Sequence, residues 1–170
     1  MNFQSPRLSI GPATTPDIPA LVALRNAAAA DLSARFGKGF WSRGATERGV
    51  ALDLQTSTVL IARDAAEIGG TLRLTKTKPW AIDRSYFTPG RRPLYLTSMA
   101  VHPARQRRGI GRLLIAAAGK HARAQGFDAI FVDAFDATAG AGEFYRKCGY
   151  REMGRTIFRR VPLIYYEFLL

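Results

Sequence analysis

A glycine-containing loop carries the most distinctive chemical pattern in this chain. Residues 106–111, Gln-Arg-Arg-Gly-Ile-Gly, follow the apolar segment 94–101 and precede the Ala- and Leu-rich segment 112–124. The first amides of a helix lack intrahelical acceptors, and the helix dipole places partial positive charge at that end. A strand, a glycine loop and a helix start in this order therefore predict a site that binds an anion.

The residue types around this loop suit a ligand with several phosphates. Gly109 and Gly111 have no side chains that would keep a pyrophosphate away from the backbone. Between Pro103 and Gln125 there are six Lys or Arg residues and no Asp or Glu. Four arginines surround the loop itself, namely Arg105, Arg107, Arg108 and Arg112. This one-sided charge predicts a polyanionic ligand.

Two other phosphate loops do not fit the sequence. A P-loop requires Gly-Lys-Ser/Thr at the helix start, whereas Gly111 is followed by Arg112 and Leu113. A dinucleotide fingerprint requires a third glycine three residues after Gly111, where this chain has Leu114. The sequence therefore excludes both interpretations.

Three segments together resemble the GNAT superfamily of N-acetyltransferases, which bind acetyl-coenzyme A (acetyl-CoA). The segments are residues 96–103, Leu-Thr-Ser-Met-Ala-Val-His-Pro, the loop 106–111, and residues 143–150, Glu-Phe-Tyr-Arg-Lys-Cys-Gly-Tyr. They occur in the family's order and spacing. The resemblance implies an enzyme that transfers the acetyl group of acetyl-CoA, its cosubstrate, to a primary amine. The acceptor would be an amino acid, a peptide or another small amine.

The same resemblance implies which residues bind acetyl-CoA. In GNAT enzymes, backbone amides of the central strand hold the acetyl carbonyl and the pantetheine arm. Many GNAT sequences also have an asparagine seven residues before the catalytic tyrosine, and this chain has Thr138 there. The implied cofactor-binding residues are Met99, Ala100, Val101, Gln106, Arg107, Arg108, Gly109, Ile110, Gly111, Arg112 and Thr138.

Tyr145 matches the GNAT tyrosine whose hydroxyl protonates the departing thiolate. Acetyl transfer needs a neutral amine, a polarised carbonyl and a proton for the leaving group. A phenol with a pKa of about 10 is a suitable donor to a thiolate. The alternative interpretation of Tyr145 is a helix residue that only packs on the sheet. Cys148 is expected to be a small buried residue rather than a nucleophile.

The general base is not identified by the sequence. The candidate carboxylates are Glu47, Asp83 and Asp31, and for each the sequence favours a solvated charge or a helix-end residue over a base. A chain of water molecules is a further alternative. His102 and His121 have no other ligand at a suitable spacing, so no metal is expected.

The elements that position these residues follow from periodicity and turn signals. The resemblance implies an α/β (α+β) fold with a mixed, mostly antiparallel sheet of about seven strands, flanked by about four helices and splaying after the central strand. Thr15 is expected to cap the first helix, which ends near Phe36. The helix after the loop is expected to bury Ile110, Leu113, Leu114, Ala117 and Ala118. The expected strands are 7–12, 58–62, 68–75, 94–101, 129–134, 150–158 and 163–169, and the later helices are 45–54, 112–124 and 139–147.

Composition limits the class of protein. With 170 residues, of which 47% are hydrophobic, the chain is expected to form one domain over residues 1–170. No membrane association is expected, because no apolar stretch is long enough to span a bilayer and no secretory signal is present; we expect a cytoplasmic protein. The net charge of +12 comes without a nucleic-acid motif, so no nucleic-acid partner is expected. The sequence does not decide between a monomer and a homodimer.

Two alternatives to an active enzyme remain at this stage. One is a non-catalytic CoA-binding or regulatory module, and the other is a basic protein associated with the ribosome or RNA, either an acetylase of a ribosomal protein or an adaptor. The resemblance also implies an acceptor pocket with aromatic walls and basic edges, which would favour an acceptor bearing a carboxylate. The residues concerned are Phe40, Trp41, Trp80, Tyr86, Phe87, Arg159 and Arg160.

Overall fold

The computed structural model describes residues 8–64 and 66–170. Within these residues, seven strands and four helices occur in the order strand, two helices, three strands, helix, strand, helix, two strands. The strands are β1 (Leu8–Pro12), β2 (Thr58–Asp64), β3 (Glu67–Thr75), β4 (Pro93–Val101), β5 (Ala129–Phe135), β6 (Arg151–Phe158) and β7 (Val161–Leu169). The helices are α1 (Ile18–Phe36), α2 (Glu47–Thr56), α3 (Ile110–Ala124) and α4 (Gly142–Lys147).

The seven strands form one mixed sheet in the order β1-β2-β3-β4-β5-β7-β6. β4 and β5 pair in parallel. The pairs β1–β2, β2–β3, β5–β7 and β6–β7 are antiparallel. This topology confirms the fold class expected from the sequence. No helix in the described part of the chain is both long and apolar enough to cross a bilayer.

Backbone contacts group the chain into two compact units, and strand β4 and helix α3 each contribute to both. The described part of the first unit is residues 8–64, 66–74 and 98–117. The second unit is Thr75–Thr97 and Ala118–Leu170. The single domain expected over residues 1–170 stays a prediction.

In the first unit, α1 and α2 pack on one face of the strands. Leu21 and Leu24 of α1 and Val50 of α2 contact Val59 and Ile61, which lie on the same face of β2 because side chains alternate along a strand. Helix α3 packs against β3, since a Cβ added to Gly70 would lie 2.7 Å from Cγ2 of Ile110. Gly70 therefore allows the start of α3 to approach the sheet closely.

The second unit has a core under the long connection between β3 and β4. Phe87 stacks on Phe131 with ring centroids 4.1 Å apart, and Tyr86 and Tyr165 form a T-shaped pair with ring centroids 5.2 Å apart. The Tyr165 hydroxyl accepts a hydrogen bond from the Asp83 amide at 3.2 Å and donates one to the carbonyl of Ala81. Side-chain and backbone bonds of this kind hold the connection on the Tyr165 face of β7.

Several sequence-based predictions about individual elements were wrong. Thr15 does not cap α1, because residues Thr15–Asp17 form a separate 3-10 turn and Asp17 is the residue that precedes the helix. The Thr14 amide before this turn donates to the Asp17 carboxylate at 2.9 Å. Leu113 is 47% exposed, since the buried stripe of α3 runs through residues at i+4 spacing. Helix α4 begins at Gly142 rather than at residue 139, because a tight turn places Gly140 against the Phe135 carbonyl. Of the strand expected at 7–12, residue 7 lies outside the described residues.

Candidate functional site

The glycine loop reaches the start of α3 through two residues in the left-handed region. Arg107 has φ of 62° and Gly109 has φ of 80°. A left-handed arginine costs about 1 kcal/mol or more, and such strain is concentrated at functional sites. A Cβ added at Gly109 would meet nothing within 4 Å, so a ligand can approach the backbone there. The first intrahelical bond runs from the Leu113 amide to the Gly109 carbonyl at 3.1 Å.

Two glycines of β3, which we did not single out from the sequence, position this loop. The His102 amide donates to the Gly69 carbonyl at 2.9 Å. Side chains of Ile110 and Leu114 close over Gly70, where an added Cβ would lie 3.0 Å from the Leu114 side chain. A Gly-Gly pair inside an apolar strand signals close backbone approach and could have been noticed.

The arginines around the loop differ in how their charge is compensated. Arg105 forms ion pairs with Asp64, at 2.9 Å, and with Glu67, so its charge is already neutralised. The other three are exposed and, among residues 8–64 and 66–170, have no carboxylate at salt-bridge distance. These three are Arg107, Arg108 and Arg112. Three arginines rather than the expected four therefore offer uncompensated charge to an anion.

Strand β4 is irregular just before the residues expected to hold the thioester. Ser98 has φ of 50°, which a non-glycine residue rarely adopts inside a strand. Such a residue turns peptide groups away from the regular ladder, as a bulge does. Met99, Ala100 and Val101 follow it and are partly buried. The Gln106 side chain donates to the Val101 carbonyl at 3.4 Å, which links the loop to this end of the strand.

In the second unit, the pairing of β4 with β5 ends early. Its last pair is Tyr95 with Phe131. The next residues on the same face are Thr97 and Asp133, because side chains alternate along a strand. Thr97 Oγ1 is buried and has no hydrogen-bond partner among the described residues. The point where the two strands stop pairing therefore presents a hydroxyl and a carboxyl on one face.

Asp133 is the base candidate that sequence reasoning missed. Burial raises the pKa of its carboxyl, against a smaller lowering by a backbone hydrogen bond. A raised pKa makes a carboxylate a stronger base, and displaced pKa values concentrate at functional sites. The signal in the sequence was an acidic residue inside the apolar strand Ala-Ile-Phe-Val-Asp-Ala-Phe.

The three carboxylates that the sequence offered as candidate bases are less suited to that role than Asp133. Asp83 accepts hydrogen bonds from the Ser85 amide, at 2.9 Å, and from the Ser85 hydroxyl, and these bonds lower its pKa. Asp31 forms an ion pair with Arg35 at 3.1 Å. Glu47 lies in the first turn of α2, where the helix dipole stabilises a carboxylate. All three have a local structural role.

Tyr145 is buried on α4 among other aromatic rings. Its ring centroid lies 5.5 Å from that of Tyr150 and 5.9 Å from that of Tyr166. Burial raises the pKa of the Tyr145 phenol well above its usual value, and the charges of Asp133 and Cys148 raise it further. The phenol therefore remains protonated at neutral pH.

The other predicted site residues differ in how far they are exposed. Thr138 is exposed, on the turn between β5 and α4. Cys148 is partly buried at the end of α4. Phe87 is 4% exposed and belongs to the core, so it is not available as a pocket wall. Trp80 is 89% exposed. Among the described residues, no group of His, Cys, Asp and Glu could hold a metal ion.

Comparison with known proteins agrees with this architecture. Residues 55–152 match the family model described as an acetyltransferase (GNAT) domain. No curated protein matches the chain in sequence. Among solved structures, ribosomal-protein-alanine N-acetyltransferase from Brucella melitensis has 22% identity and a TM-score of 0.73, covering 96% of this chain and 100% of that one.

Two further solved structures are similar. Ribosomal-protein-S18-alanine N-acetyltransferase from Escherichia coli has 16% identity and a TM-score of 0.71, covering 95% of this chain and 93% of that one. A putative acetyltransferase from Salmonella typhimurium, solved with its cofactor acetyl-CoA, has 18% identity and a TM-score of 0.69, covering 96% and 94%. At these identities the solved structures show a shared fold. Because the family model matches more than half of the chain, the protein belongs to the GNAT acetyltransferases.

Proposed function

We propose that this protein transfers the acetyl group of acetyl-CoA to the primary amine of a peptide or amino acid, with Asp133 as general base and Tyr145 as general acid. The observation that carries the proposal is the partly buried Asp133 carboxyl at the point where β4 and β5 stop pairing. Asp133 is a partly buried carboxyl whose pKa is raised, and its charge raises the pKa of the buried Tyr145 phenol. The raised pKa makes the Asp133 carboxylate a stronger base, and the Tyr145 phenol is protonated and has a proton to donate.

In this proposal the loop and the start of α3 bind acetyl-CoA, which supplies the acetyl thioester. The amides of Gly109, Ile110 and Gly111 face the pyrophosphate, and the open space over Gly109 leaves room for it. The uncompensated guanidinium groups pair with phosphate oxygens. Backbone amides at Met99, Ala100 and Val101 hold the carbonyl and the pantetheine arm, and Gln106 and Thr138 add polar contacts. The arginines in this role are Arg107, Arg108 and Arg112.

The proposal gives each proton a path. Asp133 accepts a proton from the amine as the new carbon–nitrogen bond forms, and the Tyr145 phenol donates its proton to the departing sulfur.

The acceptor class we favour is the terminal α-amine of a peptide. An α-amine has a pKa of about 8, against about 10.4 for a lysine side chain, so a useful fraction is already neutral near pH 7. A carboxylate is a weak base and suits such an amine better than a strongly basic one. Two of the similar solved structures are named as alanine N-acetyltransferases of ribosomal proteins, which is consistent with this class.

A panel of amines tests the acceptor class. Release of CoA is measured with a peptide beginning with alanine, the same peptide with an acetylated N-terminus, free alanine, spermidine and an aminoglycoside. We expect the free peptide to be used best and the blocked peptide not at all. Efficient use of spermidine or the aminoglycoside alone would contradict the acceptor assignment. Saturable binding of acetyl-CoA without CoA release from any amine would instead favour a non-catalytic module.

A further inference from the structure

Thr97 and Asp133 form a pair of polar groups at the point where β4 and β5 stop pairing. The last paired residues, Tyr95 and Phe131, have their rings in an edge contact at 6.1 Å, which shows that they share one face. Thr97 and Asp133 follow at the next alternate positions of the two strands, on that same face. A group that enters between the strands from this face therefore meets both side chains.

The Thr97 hydroxyl has no structural role in the described part of the chain. Its oxygen is buried and makes no hydrogen bond, which is costly for a polar atom. A valine has the same shape without this cost and suits a strand at least as well. An unpaired buried hydroxyl calls for an explanation, and a ligand supplies one.

We propose that Thr97 and Asp133 together hold the two N–H groups of a primary amine acceptor, and that Thr97 thereby selects primary over secondary amines. This proposal rests on the proposed function. A neutral primary amine has two N–H bonds and one lone pair. When Asp133 accepts one hydrogen bond and Thr97 Oγ1 accepts the other, the lone pair remains for the acetyl carbon. The carbon–nitrogen bond then forms and the carbon–sulfur bond breaks; the amine proton passes to Asp133, and the Tyr145 proton passes to sulfur.

Selectivity follows from the number of N–H groups. A secondary amine can donate its only hydrogen to Asp133, but its alkyl group then lies against the Thr97 hydroxyl and leaves that hydroxyl unpaired. A site that hydrogen-bonds a substrate group discriminates strongly against analogues that lack this group. Removal of the Thr97 hydroxyl should therefore lower the rate with primary amines more than the rate with secondary amines.

The test uses a peptide beginning with alanine and the same peptide beginning with N-methylalanine. The values of kcat/KM are compared for the wild type, Thr97→Val and the conservative Thr97→Ser. We expect the wild type to prefer the primary amine and Thr97→Val to reduce that preference by about tenfold, the effect of one lost hydrogen bond. Thr97→Ser should retain the wild-type preference. If Thr97→Val does not fold, Thr97→Ala removes the same hydroxyl and should reduce the preference for the primary amine in the same way.

Thermal unfolding without any ligand provides the second measurement. Because Thr97→Val removes an unpaired buried hydroxyl, its Tm should equal or exceed that of the wild type. An unchanged preference for the primary amine in a folded Thr97→Val protein would overturn the proposal and leave the proposed function intact. A wild type that releases no CoA with either peptide, or with any other amine of the panel, would contradict the proposed function and this inference together.

Discussion

At the scale of single residues, the proposed chemistry depends on two groups whose pKa values are raised for the same main reason. Burial disfavours the charged forms of the Asp133 carboxyl and the Tyr145 phenol. For the carboxyl this increases basicity, and for the phenol it keeps the proton in place. The same environment therefore strengthens Asp133 as a base and keeps Tyr145 protonated.

The Tyr145 hydroxyl is expected to contribute to turnover and little to binding. Tyr145→Phe should lower kcat by at least a hundredfold, the usual size of a general-acid contribution, while the Kd for acetyl-CoA changes less than about twofold. Tyr150→Phe is the matched control, because it removes a buried neighbouring hydroxyl that has no hydrogen-bond partner in the described structure. Equal kcat values for the two variants, with chemistry rate-limiting, would exclude Tyr145 as the acid.

Replacement of Asp133 is expected to have opposite effects on activity and on stability. Since the pKa of its carboxyl is higher in the folded state, the folded protein binds more protons than the unfolded chain, and this group's contribution to stability falls as pH rises through the folded pKa. Asp133→Asn should therefore raise Tm at pH 7 while it lowers kcat/KM. The wild-type kcat, measured with saturating peptide, should rise with pH along an acidic limb above 3.8, the ordinary pKa of aspartate.

Asp136→Asn is the control for this prediction. Asp136 is also an acidic residue near the end of β5, but it forms a salt bridge with Arg155 at 2.7 Å on the surface. Its replacement should leave the acidic limb of the pH profile unchanged. Loss of that limb in Asp136→Asn, or its persistence in Asp133→Asn, would show that Asp133 is not the base.

The sequence allowed some of these residues to be predicted and not others. Tyr145 could be proposed as the general acid because it lies in a recognisable local motif, and that role stays a prediction. Asp133 could not, since its significance depends on where β4 and β5 stop pairing and on the burial that follows. Both are properties of the tertiary structure. The same holds for Thr97, whose unpaired hydroxyl is visible only when its neighbours are known.

At the scale of elements, the position of α3 depends on the absence of a side chain in β3. Gly70→Ala should destabilise the protein by about 1–3 kcal/mol, because the new Cβ would lie 2.7 Å from Cγ2 of Ile110 and would displace the start of the helix. Acetyl-CoA binding should weaken as well, since the amides of the first turn move with the helix. Denaturant unfolding and a binding titration measure the two effects.

Gly11→Ala is the control in another strand of the first unit. A Cβ added at Gly11 meets nothing within 4 Å, and this glycine has no positive φ. Its replacement should leave both stability and binding close to those of the wild type. If Gly70→Ala were equally neutral, the close approach of α3 to β3 would not be what positions the loop.

The order of the elements followed from the sequence, but several of their ends did not. Periodicity and capping signals identify each helix and strand because they are local. The start of α4 was misplaced, since it depends on the turn around Gly140, and the exposure of Leu113 depends on which side of α3 meets the sheet. These features are decided by packing rather than by local propensity.

At the scale of the whole molecule, the net charge of +12 and the uncompensated arginines of the loop predict a ligand-dependent stability. Acetyl-CoA at a hundred times its Kd should stabilise the fold by about 2.7 kcal/mol, and the effect should decrease with salt. Gly111→Asp should remove this stabilisation, because its carboxylate repels the pyrophosphate. Thermal shifts with and without acetyl-CoA measure it.

Ala116→Asp is the matched charge control. Ala116 is exposed on the same helix, α3, but lies beyond its first turn. The substitution Ala116→Asp introduces the same charge as Gly111→Asp without placing it at the anion-binding end of α3. A ligand-induced shift in Gly111→Asp as large as that in Ala116→Asp would contradict the assignment of the loop.

The central claim, acetyl transfer with Asp133 and Tyr145 as the proton-transfer pair, is tested most directly by mass spectrometry of a single turnover. Enzyme in excess is mixed with acetyl-CoA and a peptide beginning with alanine, and the reaction is quenched over time. The wild type should convert the peptide to a product that is heavier by one acetyl group on its N-terminus. Asp133→Asn and Tyr145→Phe should do so at least a hundredfold more slowly while still binding acetyl-CoA. Acetylation at the wild-type rate by both variants would contradict the account.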